Sequence, residues 1–553
     1  MGRPFLVFFV ANSLSFRIVP RVKRLIAALV LAASVSSCMQ RVDEDEKVVS
    51  QALANGALAR EGFDRSDRYV RAWIERADPA SGLIPRNFTN SRDLWNGRDA
   101  AADNYPYMVL TTWFTDETLF HGRMKEMLAA EQRLTCRVGR LPDNYVFSTK
   151  SWQSPTVDLF HVIFEGSEYA KDGLIPITET IGPSEWSTRM LGIVDDVWSN
   201  ATVETPFGLI PTLNLEVQGD LLQLSARLFW FTGDRKHLDW GIRLGDYFLL
   251  GTNHPTRLDT PLAFSDHGCE VVNGLSELYV ACAHAAPEKR EQYRAPLHEM
   301  YDAILAKALD EHGLVRSLVN MKTGEHNNKL TDNWGYNLDG VYTVYLMDGT
   351  EAYRGAVRRA LGSLLEHYVG YPWQGGGMDG YADSIEGAIA LLNREYDESA
   401  AAWLDSEIHT LWKKQRTNGL IEAWHCDGNF ARTSLMYSLW KTQGSYIRPW
   451  RNDVTFGAVR DGDAVVIALK SDQPWQGRMH FDTPRHREIM KLPMDYPRIN
   501  QFPEWFTIDS NATYRVTRSG KTVDVAGSAL RDGLEVSLSA GMAQVIRVEP
   551  SAP

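Results

Sequence analysis

Five short stretches of this sequence gather the residue types that carry acid–base chemistry: carboxylates set beside tryptophan, tyrosine and arginine. The first, NSRDLWNGRDAAADNYPYM at 90–108, holds Trp95, Arg98 and Asp103. Planar guanidinium donors, carboxylate acceptors and an indole face suit a polyol ring, whose hydroxyls need paired partners and whose C–H faces pack on aromatics. The second, SDHGCEVVNGLSELY, sets His267 and Glu270 three apart at a predicted helix start. A histidine there can move a proton near neutrality and a carboxylate can do so at lower pH. The third, HNNKLTDNWGYNLDGVY, places Asp332 beside Trp334 and Tyr336. The fourth, YPWQGGGMDGYADSIEGAI, holds Trp373, Tyr381, Asp383 and Glu386, and the last, GLIEAWHCDGNFARTSL, holds Trp424, His425 and Arg432.

Each stretch has a plainer reading. Asp, Ser and Glu near a helix start are ordinary caps, and Ser265 or Asp266 with Glu270 in the first turn would satisfy one. Gly375, Gly377 and Gly380 spell G-x-G-x-x-G, but no strand precedes them, so a dinucleotide site is rejected. The glycines instead let backbone approach a ligand. His-x-x-Glu lacks further metal ligands and no H-E-x-x-H occurs, so no metal and no cofactor is expected. No G-x-S-x-G elbow supports a serine nucleophile.

The elements that must position these residues are helical from about Glu61 to Gly444. Leu221, Leu224, Leu228 and Phe231 recur at three- and four-residue steps, Gly233-Asp234 breaks the run, and Leu238, Ile242 and Tyr247 resume it. The same hairpin shape returns around Asp348-Gly349 and around 394–397. A phrase recurs with it: Gly-Leu-Ile-Pro at 82, 173 and 208, then Gly-Leu-Val at 313 and Gly-Leu-Ile at 419. The two intervals between the last three phrases, at 208, 313 and 419, fit two helical hairpins each, so six or seven hairpins share one core, as an open solenoid or a closed ring. Short Val- and Thr-rich runs between Gly turns then predict an antiparallel β-sandwich over 450–553.

The N-terminus reads RVKRLIAALVLAASVSSC: a basic cluster, a short apolar run, small residues and Cys38. The run is too short to span a bilayer and predicts a signal peptide of lipoprotein type over 1–38, lipidated at Cys38, with a polar tether at 39–60. Export to the cell envelope follows, with membrane contact through that anchor alone. Residues 1–37 hold five Arg or Lys and no acid, which leaves 53 basic against 70 acidic residues beyond them. Nucleic acid is excluded as a partner by that balance. Cys136, Cys269, Cys282 and Cys426 form no C-x-x-C pair and read as isolated thiols.

A lipoprotein signal, helical hairpins joined by Gly-Leu-Ile loops and a C-terminal β region resemble the six-hairpin (α/α) toroid superfamily of glycosidases, polysaccharide lyases and sugar epimerases. The resemblance covers residues 60–553 at the level of architecture. It implies a mainly α toroid over 61–449 with a central cleft lined by those loops. On that footing the first reading is a glycoside hydrolase acting on an oligo- or polysaccharide. Asp332 and Glu386 would flank the scissile bond, with Asp103 and Glu270 as the reserve pair. Trp95, Arg98, Trp334, Trp373, Tyr381, Asp383, Trp424, His425 and Arg432 would bind substrate. The alternatives are a lyase using His267 and Tyr336 on a uronic acid held by Arg98 or Arg432, and a glycan-binding lipoprotein without catalysis.

Overall fold

The computed structural model describes residues 20–265, 267–422 and 427–551, except the side chains of 20–45 and of His267. The Cys38 thiol, the His267 ring, Trp424 and His425 therefore lie outside the described residues. The chain forms two units, 1–51 and 52–553. The first, taken by itself, is helical from Pro20, and the helix is bounded Pro20–Glu75. No helix among the described residues is long and apolar enough to cross a membrane.

The second unit is an (α/α) toroid carrying an antiparallel β module. Seven inner rods succeed one another: Gly97–Asn104 running into Tyr105–Thr115; Leu159–Glu168 continuing through Tyr169–Leu174 into Ile175–Ile181; then Leu215–Thr232, His267–Ala285, Trp334–Asp348, Met378–Leu392 and Asn429–Lys441. Each packs on the next, and the seventh returns to Tyr105–Thr115, so the ring is closed. Inner and outer helices differ as their positions demand. Leu215–Thr232 is buried without a break from Val217 to Leu228, polar residues included. Its outer partner Arg235–Gly245 buries only His237, Leu238, Gly241, Leu244 and Gly245, a single stripe. Gly233, at φ 73°, ends the first helix in a left-handed cap, and the Asp234 carboxylate accepts from the Lys236 N–H to start the second. Gly349 and Asp397 do the same at the two later breaks.

The repeated phrase marks the crossover from an outer helix to the next inner rod. Gly82, Gly208, Gly313 and Gly419 all take positive φ, where a side chain would be strained. An arginine of the next outer helix around the ring reaches each of these loops. Arg123 donates to the Gly82 carbonyl at 2.9 Å, Arg243 to Leu209 at 2.6 Å, and Arg359 to Glu311. Arg68, on the first helix, donates to Thr417 at 3.0 Å and so latches the last loop across the ring closure. Gly173 departs from the set. It lies inside the inner rod, in the π-helical turn Tyr169–Leu174, where a Cβ would meet Pro106 at 2.7 Å. The expectation that all five phrases serve one purpose is corrected there: the same four letters continue a helix when no outer helix has just ended.

In the β module one sheet orders Lys521–Ala526, Thr513–Arg518, Gln544–Pro550, Ala464–Ser471 and Val454–Asp461, and a second orders Leu534–Leu538, Trp475–His480 and Tyr446–Arg448. The module is welded to the ring. Phe456 stacks on Phe63 at 5.7 Å, and Gly457 meets Gly56 so closely that neither tolerates a Cβ. Between His480 and Thr513 the chain leaves the sheets and runs as a strap under the ring. Tyr496, Arg498, Asn500 and Phe502 are each buried there, and Arg498 pairs with Glu179 at 3.4 Å. Arg227, itself paired with Glu277 at 2.7 Å, donates to the Ile499 carbonyl.

Candidate active site

The inner rods begin at one end of the ring and surround a cavity of about 360 Å³, closed below by Ile499 and Asn500 of the strap. Because their N-termini face it, free N–H groups and helix dipoles favour negative charge there. The walls use that bias. Eight carboxylates line the cavity, against two guanidinium groups, Arg98 and Arg432.

Three of those carboxylates, Asp99, Asp103 and Asp172, stand on π-helical turns, the kind of one-residue insertion that re-aims side chains at functional sites. Asp103 ends the turn Gly97–Asn104, and Asp172 sits in Tyr169–Leu174. Asp103 has no hydrogen-bond or ion-pair partner among the described residues. Burial first, then the charges of Asp99, Asp172, Asp379 and Asp427, pushes its carboxyl well above the usual range, so it keeps its proton. Asp172 has the opposite surroundings. Lys171 Nζ lies 2.8 Å from Oδ1, and the Asn500 side-chain amide donates to the same oxygen. Lys171 is buried, yet Asp172, Glu270 and Asp220 hold it protonated well above its ordinary value. The pair is therefore one acid that retains a proton and one carboxylate supplied with donors.

Beneath them Glu168 and Asp220 are buried together. Desolvation raises both; the Asp220 charge raises Glu168 further, while Asp220 is raised also by Asp172 and Glu270 against the pull of Lys171, and Glu168 Oε1 and Asp220 Oδ1 accept no hydrogen bond among the described residues. Oxygens of Glu168, Asp172 and Asp220 lie within 4.8 Å of one another, a hard-oxygen set of the kind that holds a divalent cation. Lys171, 3.9 Å from Asp220 and 2.7 Å from Glu270, already provides a cation at that place.

The opposite wall is a network around Arg432. It meets Asp383 at 2.6 Å and Glu386 at 2.6 Å, and donates to Asn429 and Asn500. Tyr336 donates to Glu386 at 2.7 Å and to Asp383 at 3.2 Å, and the Asn500 N–H donates to Glu386 at 2.8 Å. Glu386 is thus saturated with donors and lies behind the wall, 2 % exposed. Asn500, at φ 62°, is the residue that ties this wall to Asp172 on the other side.

The structure brings Asp103, Glu270, Tyr336, Asp383, Arg98 and Arg432 to the cavity. Glu270 is occupied by Lys171 and Gln223. Asp332 is buried in the loop before its helix, accepting from Thr331 and Asn333, and is not on the cavity wall. Trp95, Trp334 and Trp373 are core residues, at most 2 % exposed, and offer no face to a ligand. Trp334 donates to Ser384 and Trp373 sits edge-on to Trp403. Tyr381 is buried under the Lys414 ammonium. The physical reason is common to all four: in a closed ring the large apolar faces fill the space between layers, and polar groups are left to line the centre. Asp379, which the Gly-rich stretch places toward a cleft, does line the cavity, whereas Asp172, Glu168 and Asn500 escaped sequence reading. Asp172 lies one residue before a repeated phrase, which is a usable signal. Asn500 lies in the β region, far from every motif, and has none.

No protein-family model matches the sequence, and a search of curated proteins finds no relative. Among solved structures the chain is similar to the GH76A α-1,6-mannanase from Salegentibacter sp. HEL1_6, at TM-score 0.39 and 11% identity, over 56% of this chain and 95% of that one. It is similar also to a GH127 β-L-arabinofuranosidase from Geobacillus stearothermophilus T6, at 0.37 and 10%, over 90% and 80%. A cellobiose 2-epimerase from Bacillus thermoamylovorans B4167 gives 0.35 and 12%, over 47% and 84%.

Proposed function

We propose that the chain is a glycoside hydrolase of uncharged glycans, with Asp103 as general acid and Asp172 as base or nucleophile. The observation that carries this reading is the pairing, in one cavity, of a proton-retaining carboxyl that has no partner among the described residues with a donor-supplied carboxylate. Cleavage of a glycosidic bond needs such a division of labour: a proton delivered to the leaving oxygen, and a carboxylate facing the anomeric carbon or its water. The chemistry supports hydrolysis over β-elimination. Tyr336 would have to lose its proton to serve a lyase, but burial and the neighbouring Asp383 and Glu386 push that loss far above its ordinary value. The cations are committed as well. Arg98 pairs with Glu165 at 2.9 Å, Arg432 with two carboxylates and Lys171 with three more, so an entering uronate carboxylate would face acidic walls with no unpaired Arg or Lys among the described residues that line the cavity.

The test presents neutral and uronic-acid polysaccharides to the purified chain and follows new reducing ends together with ultraviolet absorbance of a new C=C bond. Reducing ends from a neutral glycan, lost by at least about a hundredfold in Asp103→Asn and in Asp172→Asn, are expected. Absorbance rising with the reducing ends would replace hydrolysis with elimination. Binding without any product would leave a non-catalytic glycan receptor.

A further inference from the structure

Above the cavity mouth stands a group of aromatic and apolar side chains that the core does not use. Phe160 is 54 % exposed, Trp152 41 % and Val157 49 %. Their placement is not scattered. Phe160, Phe164 and Glu168 stand four residues apart on one face of Leu159–Glu168, and Phe164 and Glu168 line the cavity. Phe160 continues that face one turn outward. Trp152 is bound to the same turn by a chain of contacts. Arg137 lies over its ring at 4.7 Å and pairs with Asp143 at 2.7 Å, and Asp143 meets His161, the neighbour of Phe160, at 3.4 Å.

We infer that Phe160 and Trp152 form an outer subsite that receives a neutral sugar ring next to the unit held in the cavity. The inference rests on the hydrolase reading and adds that the substrate is a chain of several units. An aromatic ring with few rotatable bonds offers the apolar face of a sugar a large contact at small entropic cost, while the hydroxyls on the ring edge stay in water or meet the partly exposed His161. Continuity decides the occupant. The stripe runs without a break from the exposed rim through Phe164, which carries Arg98 over its ring at 5.1 Å, into the acidic floor. A chain leaving the cavity along that wall crosses Phe160 first. A protein partner would find a narrow strip bordered by charge, well short of the area that stable protein interfaces bury.

The experiment measures kcat/KM on saccharides of two to six units of the glycan that the chain cleaves, for the wild type, Phe160→Ala, Trp152→Ala and the double variant. In the wild type the value should climb with length, and in the double variant the advantage of the longest over the shortest should shrink about tenfold. Melting temperatures should stay close together, since both rings are about half exposed and lie outside the core. A flat length dependence in the wild type, an unchanged slope in the double variant, or an equal loss at every length each overturns the subsite while leaving the hydrolase intact. Cleavage of no glycan overturns the hydrolase reading, and the subsite with it.

Discussion

At the scale of single residues, environment separates carboxylates that the sequence writes alike. Asp103 and Glu386 are both acids on inner rods, yet among the described residues one has no partner and the other has Arg432, Tyr336 and the Asn500 N–H. Only the first is free to change its charge during a reaction. Its raised pKa has a direct consequence for rate. The acid must be protonated, so activity should persist above the ordinary carboxylate range and fall as pH rises through the raised value, and Asp103→Asn should abolish that limb with the activity. Asn500 acts as a positioning residue through its amide, which donates to Asp172. Asn500→Asp keeps a residue type that tolerates positive φ but replaces this donor with an acceptor. The expected result is a fall in kcat with KM little changed, because Asp172 loses a hydrogen-bond donor and faces a second carboxylate in its place. A kcat equal to wild type would refute the role, and a variant that merely melts earlier would show a structural one.

Among elements, the outer-to-inner crossover is the unit the molecule repeats. Its positive-φ glycine and its arginine from the next outer helix join neighbouring hairpins, including the join between Arg68 and the last loop. At Gly208 a Cβ would sit 3.2 Å from Arg243 Nε, on a backbone that disfavours any side chain. Arg243→Ala removes a charged donor from the Leu209 carbonyl, at a cost of about 1.5–3 kcal/mol. Calorimetry should find the melting temperature lower by several degrees in Arg243→Ala and lower again in Gly208→Ala, whereas Arg257→Ala, on an exposed ion pair with Glu299, should move it little. The helix breaks at Gly233-Asp234, Asp348-Gly349 and Asp397 were legible because capping is local chemistry. The π-helical turns that aim Asp103 and Asp172 were not, since one extra residue in a buried ladder leaves no mark on a three-to-four-residue period.

For the whole molecule the central charge sets how stability depends on pH. Burial raises Glu168, Asp220, Asp103, Asp339 and Asp427, so the folded state holds protons that the unfolded chain has released. Stability from these groups is full below the unfolded carboxylate value and is lost as pH climbs toward the folded ones. Asp348 and Glu395 act in the other sense. Their arginine, histidine and tyrosine partners outweigh burial and lower them, so their contribution is lost on acidification. The melting temperature should therefore peak on the mildly acidic side and decline toward alkaline pH, and Glu168→Gln with Asp220→Asn should flatten the alkaline decline. An alkaline decline of the same steepness in the double variant would show that the buried pair does not set it.

The sequence by itself determined the helical hairpins, their caps, the crossover glycines and the β-rich C-terminal region, because each is written in residues close together in the chain. It also marked the loop regions that supply much of the cavity wall. Which acids stand there with a proton to give, and which are locked in salt bridges, was decided only by the closed ring. Burial, the number of donors within reach and the sum of neighbouring charges belong to residues far apart in the chain: Asn500 against Asp172, Lys171 against Glu270, Arg432 against Asn500. The aromatics show the same division. Local sequence placed Trp95, Trp334 and Trp373 beside the acids, but packing between two helical layers turned them into the core and left Phe160 and Trp152 at the rim.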